Sequence, residues 1–185
     1  GIHIQVEQAY SNCPKYIQAR TSLPVSYLSQ PTVMCSNQLT SDQSAFITQA
    51  DTFFIASAHP EDNGDPAHGV DVSHRGGRPG FVGVDGDHLW VPDFAGNQYF
   101  NTLGNLLLNA RAGLLFVNFS EGSLVWIAAT AQILHDGPAV DAFPGAQRVL
   151  QLTVHALWTA RRRLPLRSQD GEASPFLAGT GIWPG

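Results

Sequence analysis

Residues able to do chemistry gather in two stretches of this chain. In "DVSHRGGRPGF", residues 71–81, Ser73, His74, Arg75 and Arg78 stand among Gly76, Gly77 and Gly80, and Pro79 limits the exit direction. Arginine presents a rigid fork of donors matched to phosphate, and neighbouring glycines let a phosphate or a flat ring lie against backbone. His74 has an ordinary pKa of about 6.5, which suits proton transfer near neutrality. It would serve equally well by ordering the segment. The competing reading is a surface loop whose arginines meet water or the nearby Asp71, Asp85 or Asp87. In "PDFAGNQYFNTLGN", residues 92–105, Asn97 stands where a strand and turn give way to a helical run, after Ala95-Gly96. A helix start behind a glycine offers unpaired N–H groups and a positive dipole to an anion, unless Asn97 is simply an N-cap. Together the two stretches point to a flat phosphorylated ligand.

Both stretches have to be positioned by other elements. "TFFIASA" reads as a buried strand that stops at the loop "HPEDNGDPAHG", and the "SHRGGRPG" stretch reads as a loop between strands. "GFVGVDGDHLWVPDF" reads as a hairpin turning at Asp85-Gly86-Asp87. Phe100, Leu103, Leu106 and Leu107 predict a helix ending near Asn109. "AGLLFVNF" and "LVWIAATAQIL" read as strands joined by "SEGS". In "AQRVLQLTVHALWTA" the alternation of Val149, Leu150, Leu152, Val154, Ala156 and Trp158 suits a long strand better than a helix. Upstream, residues 3–20 suggest two short helical turns interrupted by Pro14, and residues 21–40 an extended arm laid over a surface or a partner. Thr40 or Ser41 caps a short helix with Phe46, Ile47 and Ala50 on one face. The organisation expected is an N-terminal segment over 1–40 and a mainly β domain over 41–185, a β-barrel with a few helices packed on it.

Composition narrows the function. The 185 residues are 43% hydrophobic but only 14% charged, so much of the surface is expected either to face a partner subunit or to carry uncharged polar groups, which favours an oligomer. A net charge of -5, with basic residues clustered only at Arg161, Arg162, Arg163 and Arg167, argues against nucleic acid, and that cluster reads as a solvated strand or helix end. Cys13 and Cys35 form no CxxC array, so reduced thiols and a cytoplasmic location are expected. Asn118-Phe119-Ser120 matches a glycosylation sequon, which in an apolar stretch of a cytosolic chain is a chance match. No apolar run approaches the ~20 residues of a membrane span. The histidines form no HxH or HxxxH pair, so no protein-built metal site is expected. Dinucleotide-fold, P-loop and nucleophile-elbow motifs are absent.

In this order, "DTFFIASA", "DVSHRGGRPGF", "PDFAGNQYFNTLGNLLLNARAGLLFVNF" and "RRRLPLR" resemble the flavin-binding split-barrel proteins related to pyridoxamine 5'-phosphate oxidase. The resemblance runs from about Asp51 to Arg167, with "NCPKYIQAR" similar to the stretch preceding this unit in longer members. It implies a six-stranded split barrel, a homodimer, and FMN in the groove at the subunit interface. Carried over, Ser73, His74, Arg75 and Gly76 would line the flavin groove, with Arg78 in the same segment. Gly96, Asn97 and Gln98 would hold the phosphate, with Asn101 and Asn105 behind them. Relatives have a Ser/Lys pair at that helix start, and here an arginine would have to supply the charge. Relatives also commonly read Gly-Arg-Ala where this chain has Ala129, Thr130 and Ala131. The activity implied is an FMN-dependent oxidoreductase acting on a small molecule, with His74 as the candidate proton donor. The alternative is a non-catalytic flavin carrier or sensor, or a haem-binding split-barrel protein. Phe94, Tyr99 and Trp126 could stack on a flavin or fill the core. A chain beginning at Gly1 and matching inside a longer architecture is expected to be a piece of a longer protein or a lone C-terminal unit.

Overall fold

The computed structural model describes residues 2–6, 13–26, 32–61, 63–65, 68–96 and 100–184. Ten strands are found among them: β1 (Arg20–Pro24), β2 (Val33–Ser36), β3 (Thr52–Ala58), β4 (Val70–Gly76), β5 (Gly83–Asp85), β6 (His88–Phe94), β7 (Arg111–Asn118), β8 (Ser123–Leu134), β9 (Ala146–Ala160) and β10 (Leu166–Asp170). The helices are α1 (Ser41–Gln49), α2 (Asn101–Leu108) and the four-residue α3 (Pro138–Asp141), with a closing 3₁₀ turn at Pro175–Gly179. The mainly β split-barrel class expected from the sequence is the one observed. One antiparallel sheet runs β4-β3-β7-β8-β9-β6-β5, with β2 added alongside β9, and β1 pairs with β10 in a separate ribbon.

The core follows the alternation of the strands. Phe53, Ile55, Leu114, Phe116, Val125, Ile127, Leu152 and Leu157 point inward and are almost fully buried. Phe53 stacks on Phe116 at 4.9 Å and on Phe81 at 5.9 Å, geometries that aromatic pairs favour. Helix α1 starts at Thr40, whose Oγ1 accepts from Gln43 N (3.3 Å) while Gln43 Oε1 accepts from Thr40 N (2.9 Å). That reciprocal capping box answers the choice between Thr40 and Ser41, and the helix buries Ile47 in the core. The Asp85-Gly86-Asp87 hairpin is as expected, with Gly86 at φ 57.

Several expectations need correction. The described residues of 3–20 contain no helix: Ile17 N donates to Pro14 O in a single turn, and Arg20 already opens β1. The arm over 21–40, by contrast, is extended where described and carries β1 and β2, which pair with β10 and β9. The 71–76 stretch is not a loop but the body of β4, paired residue for residue with β3. Its glycines end the strand, and its alternation of Asp71, Ser73 and Arg75 on one side was the strand signal. Helix α2 begins at Asn101 rather than at Asn97, after Phe100 in the left-handed region (φ 55). In β9 the inward series breaks at His155, where Val154 pairs with Ala129 and Ala156 with Ala128. This bulge inverts the phase, so Leu157 is buried and Trp158 is 37% exposed.

Candidate functional site

Strands β4 and β6 lie near opposite ends of the sheet path, and between them opens a cavity of about 270 Å³. It is lined by Ser73, His74, Arg75 and Gly76 of β4, Pro92, Asp93 and Phe94 of β6, and Gly96, Phe100, Asn101 and Thr102 at the approach to α2. Residues far apart in sequence complete it: Cys13 and Tyr16 before β1, and Gln147 and Arg148 of β9. The two strand ends are tied by an ion pair across the gap, Arg75 Nη1 to Asp93 Oδ1 at 2.9 Å. Arg148 Nη1 reaches the other oxygen, Oδ2, at 3.4 Å.

A polar corner lies deeper. Thr102 Oγ1 donates to Asp71 Oδ2 (2.5 Å), Ser73 Oγ donates to the same oxygen (2.9 Å), and the two hydroxyls are 2.7 Å apart. Asp71 and Thr102 are each 3% exposed, so this network satisfies polar groups that have left water. Tyr16 Oη and Lys15 Nζ both donate to Ala95 O at 2.8 Å, holding the N-terminal strap against the loop before α2. The Tyr16 ring leans on Phe94 at 5.7 Å, and its hydroxyl pKa is raised by burial, with Cys13 and Asp93 adding to the effect.

Of the residues singled out in the sequence, Ser73, Arg75, Gly76, Gly96 and Asn101 come together around one cavity. Asn97, Gln98 and Tyr99 lie outside the described residues. Arg78 points elsewhere: it donates to Thr180 O of the C-terminal segment, because the turn after Gly77 carries it past the end of β4. Asn105 is one turn too far along α2, where its amide donates to Ser57 Oγ (3.3 Å) and Gly69 O (3.5 Å). Arg75 faces Asp93 rather than any of the three aspartates anticipated for it. Trp126 sits in the outward row of β8, between Leu115 and Trp158.

His74 contributes to the lining, but strand alternation sends its side chain to the face opposite Ser73 and Arg75, edge-on to Phe54 at 5.9 Å. Its pKa is lowered by burial first; Asp51 opposes this, and Arg75 and Arg20 reinforce it. Folding therefore favours the neutral imidazole, and the unfolded chain binds the proton more readily. The stability this confers is present above the unfolded value of about 6.5 and is lost as pH falls from there through the folded value. Thermal melts between about pH 7.5 and pH 5.5 should show a smaller acid loss of Tm in His74→Gln than in the parent. Parallel curves would remove His74 from the acid response.

Sequence reasoning missed Asp93, Thr102, Tyr16 and Arg148. Asp93 had a signal, a carboxylate at an inward position of an apolar strand, which requires a buried partner. The other three had none, since their relevance arises from packing across the chain.

No curated protein matches this chain. Among solved structures, a histidine-substituted variant of tagged HupZ from Group A Streptococcus superposes with a TM-score of 0.50 at 14% identity, covering 65% of this chain and 98% of that one. Tagged HupZ itself gives 0.50 at 12% identity, covering 64% and 91%. At these identities the likeness is one of fold. A Lactobacillus delbrueckii protein provisionally named a pyridoxamine 5'-phosphate oxidase gives 0.49 at 19% identity, covering 66% and 94%. The family described as Pyridoxamine 5'-phosphate oxidase matches residues 39–169, which include every strand of the large sheet except β2 and every α-helix. With that match and the split-barrel architecture, the chain belongs to the pyridoxamine 5'-phosphate oxidase family.

Proposed function

We propose that this protein is an FMN-binding flavoprotein, an oxidoreductase acting on a small molecule, with the flavin in the cavity between β4 and β6. The observation that carries this reading is the convergence of Arg75 and Arg148 on one cavity with small Gly76 and Gly96 and the aromatic rings of Tyr16, Phe94 and Phe100. Arg75 Nε is buried and has no hydrogen-bond partner among the described residues, a donor available to a bound group. The residues present thus fit a ligand with an anionic tail and a flat ring.

When bound, FMN supplies the redox chemistry itself. The chain's part is to hold and orient it. Arg75, on β4, fixes the anionic group from one side, and Gly96 and Asn101 approach from the start of α2. Phe94 and Tyr16 provide apolar walls that exclude water. His74, edge-on to Phe54 on the face opposite Ser73 and Arg75, orders β4 on this reading instead of delivering a proton.

The second subunit belongs to the same reading. On the outward face of the sheet, His74, Phe54, Leu115, Trp126 and Trp158 form one register row across β4, β3, β7, β8 and β9. Val72 beside them is 52% exposed and Val70 71% exposed. A largely apolar row of this extent at a strand surface supports the reading of an interface, and a second copy seated there fits the low charge fraction. The family's fold is compatible with a cytoplasmic protein; among the described residues no helix is long and apolar enough to cross a membrane.

Purified protein tests the proposal. A yellow preparation with flavin absorption, sedimenting as a dimer and bleached by NADH or NADPH with reoxidation by an acceptor, is expected. A bound flavin that no donor reduces would make it a carrier, and a sharp haem band would replace flavin with haem. Colourless protein that takes up neither would overturn the cofactor assignment.

A further inference from the structure

We propose that Arg148 and Arg75 form a single anion receptor whose resident counter-ion is Asp93, and that the phosphate of the ligand competes with Asp93 for the two guanidiniums. The inference rests on the flavin reading above and adds to it a residue, Arg148, and a built-in competitor.

Asp93 is 8% exposed and touches both arginines, Arg75 Nη1 at 2.9 Å and Arg148 Nη1 at 3.4 Å. Two guanidiniums thus share one carboxylate, leaving one positive charge in excess within this cluster. The sharing is unequal. Arg75 makes a hydrogen bond to Asp93, whereas the Arg148 contact is long for one, and its guanidinium lies 5.3 Å from the Phe100 ring. That places Arg148 at the mouth of α2, whose first turn holds no acidic residue and whose start has no side-chain cap. A phosphate monoester carrying roughly two negative charges would match two such forks better than a single carboxylate does.

Asp93 offsets the repulsion between the two arginines within the fold. Two half-buried guanidiniums side by side with no counter-ion would repel each other, so the carboxylate holds them in place at the expense of ligand affinity. The deeper corner excludes the phosphate from the alternative position. There the Ser73 and Thr102 hydroxyls both donate to the Asp71 carboxylate, so the cavity meets lone pairs and negative charge. Such a corner accepts from ligand hydroxyls or N–H groups and repels an anion. The ligand is therefore polarised, with its donor-bearing part at Asp71, Ser73 and Thr102 and its phosphate at Arg148 and Arg75.

Fluorescence titrations of FMN and of riboflavin, which lacks the phosphate, test this on the parent protein, Arg148→Gln and Asp93→Asn. The parent should prefer FMN. Arg148→Gln should lose roughly tenfold in FMN affinity, as expected for one charge-assisted contact, with riboflavin unchanged. Asp93→Asn should widen the preference for FMN. An unchanged FMN-to-riboflavin ratio in Arg148→Gln would overturn the receptor while leaving the flavin reading intact, and weaker FMN binding in Asp93→Asn would overturn the competition. Should Asp93→Asn not fold, Arg148→Gln still decides, because Asp93 keeps Arg75. If neither flavin binds the parent, the flavin reading fails, and inorganic phosphate judges the receptor by thermal shift. A shift that Arg148→Gln abolishes sustains it; no shift overturns it.

Discussion

Arg75→Ala is expected to lower FMN affinity by 10- to 100-fold, roughly the 1.5–3 kcal/mol associated with a hydrogen bond to a charged group. Arg75 reaches the cavity from β4 and spans the gap to Asp93 on β6, so the same substitution should also loosen the barrel. Breaking a buried ion pair usually costs about 3–5 kcal/mol, but Asp93 retains Arg148, so a loss of about 1–3 kcal/mol is expected here. Urea unfolding and flavin titration on the same sample measure the two effects. Arg75→Lys should restore much of the stability and less of the affinity, because the ammonium lacks the planar fork. Unchanged FMN affinity in Arg75→Ala would take Arg75 out of the site.

Gly76→Ala should be the most disruptive small substitution at the cavity. A Cβ there would lie 2.2 Å from Tyr16 O and 2.8 Å from His74 Cε1. The first is a backbone atom, and the backbone around it is held on several sides. Ser174 Oγ donates to Lys15 O (2.5 Å), Ser174 N donates to Gln18 Oε1 (3.1 Å), and Arg20 is paired with both Asp51 and Asp170. Either β4 shifts or the strap lifts, and overpacking of this kind costs about 1–3 kcal/mol. A lower Tm together with faster proteolysis between residues 13 and 26 is the expected result, and wild-type values for both would show that the strap yields freely. Because Tyr16 lines the cavity, flavin affinity should fall in parallel.

Local sequence determined much of this protein. The strand periodicity of β3, β7, β8 and β9, the Asp-Gly turn before β6 and a helix cap at Thr40 or Ser41 all arise from interactions within a few residues, and they were legible as such. The pairing of "DVSHRGG" with the approach to α2 was legible too, since their residue types share one chemistry. The glycines nevertheless obscured the strand of Ser73 to Gly76, because an edge strand bordering a cavity needs small residues as much as a loop does.

Tertiary structure alone decided which charges meet. Arg148 is 55 residues beyond Asp93 in sequence (148 minus 93) yet its register partner across β6 and β9, and Tyr16 reaches the cavity only because β1 is anchored to β10. Arg78 and Asn105 show the converse: adjacency in sequence to site residues did not bring them to the cavity, because a turn and one helical step redirected them. Residue type and short-range spacing specify elements. The long-range pairing of strands determines which side chains share a low-dielectric cavity, and therefore which ones can act on the same ligand.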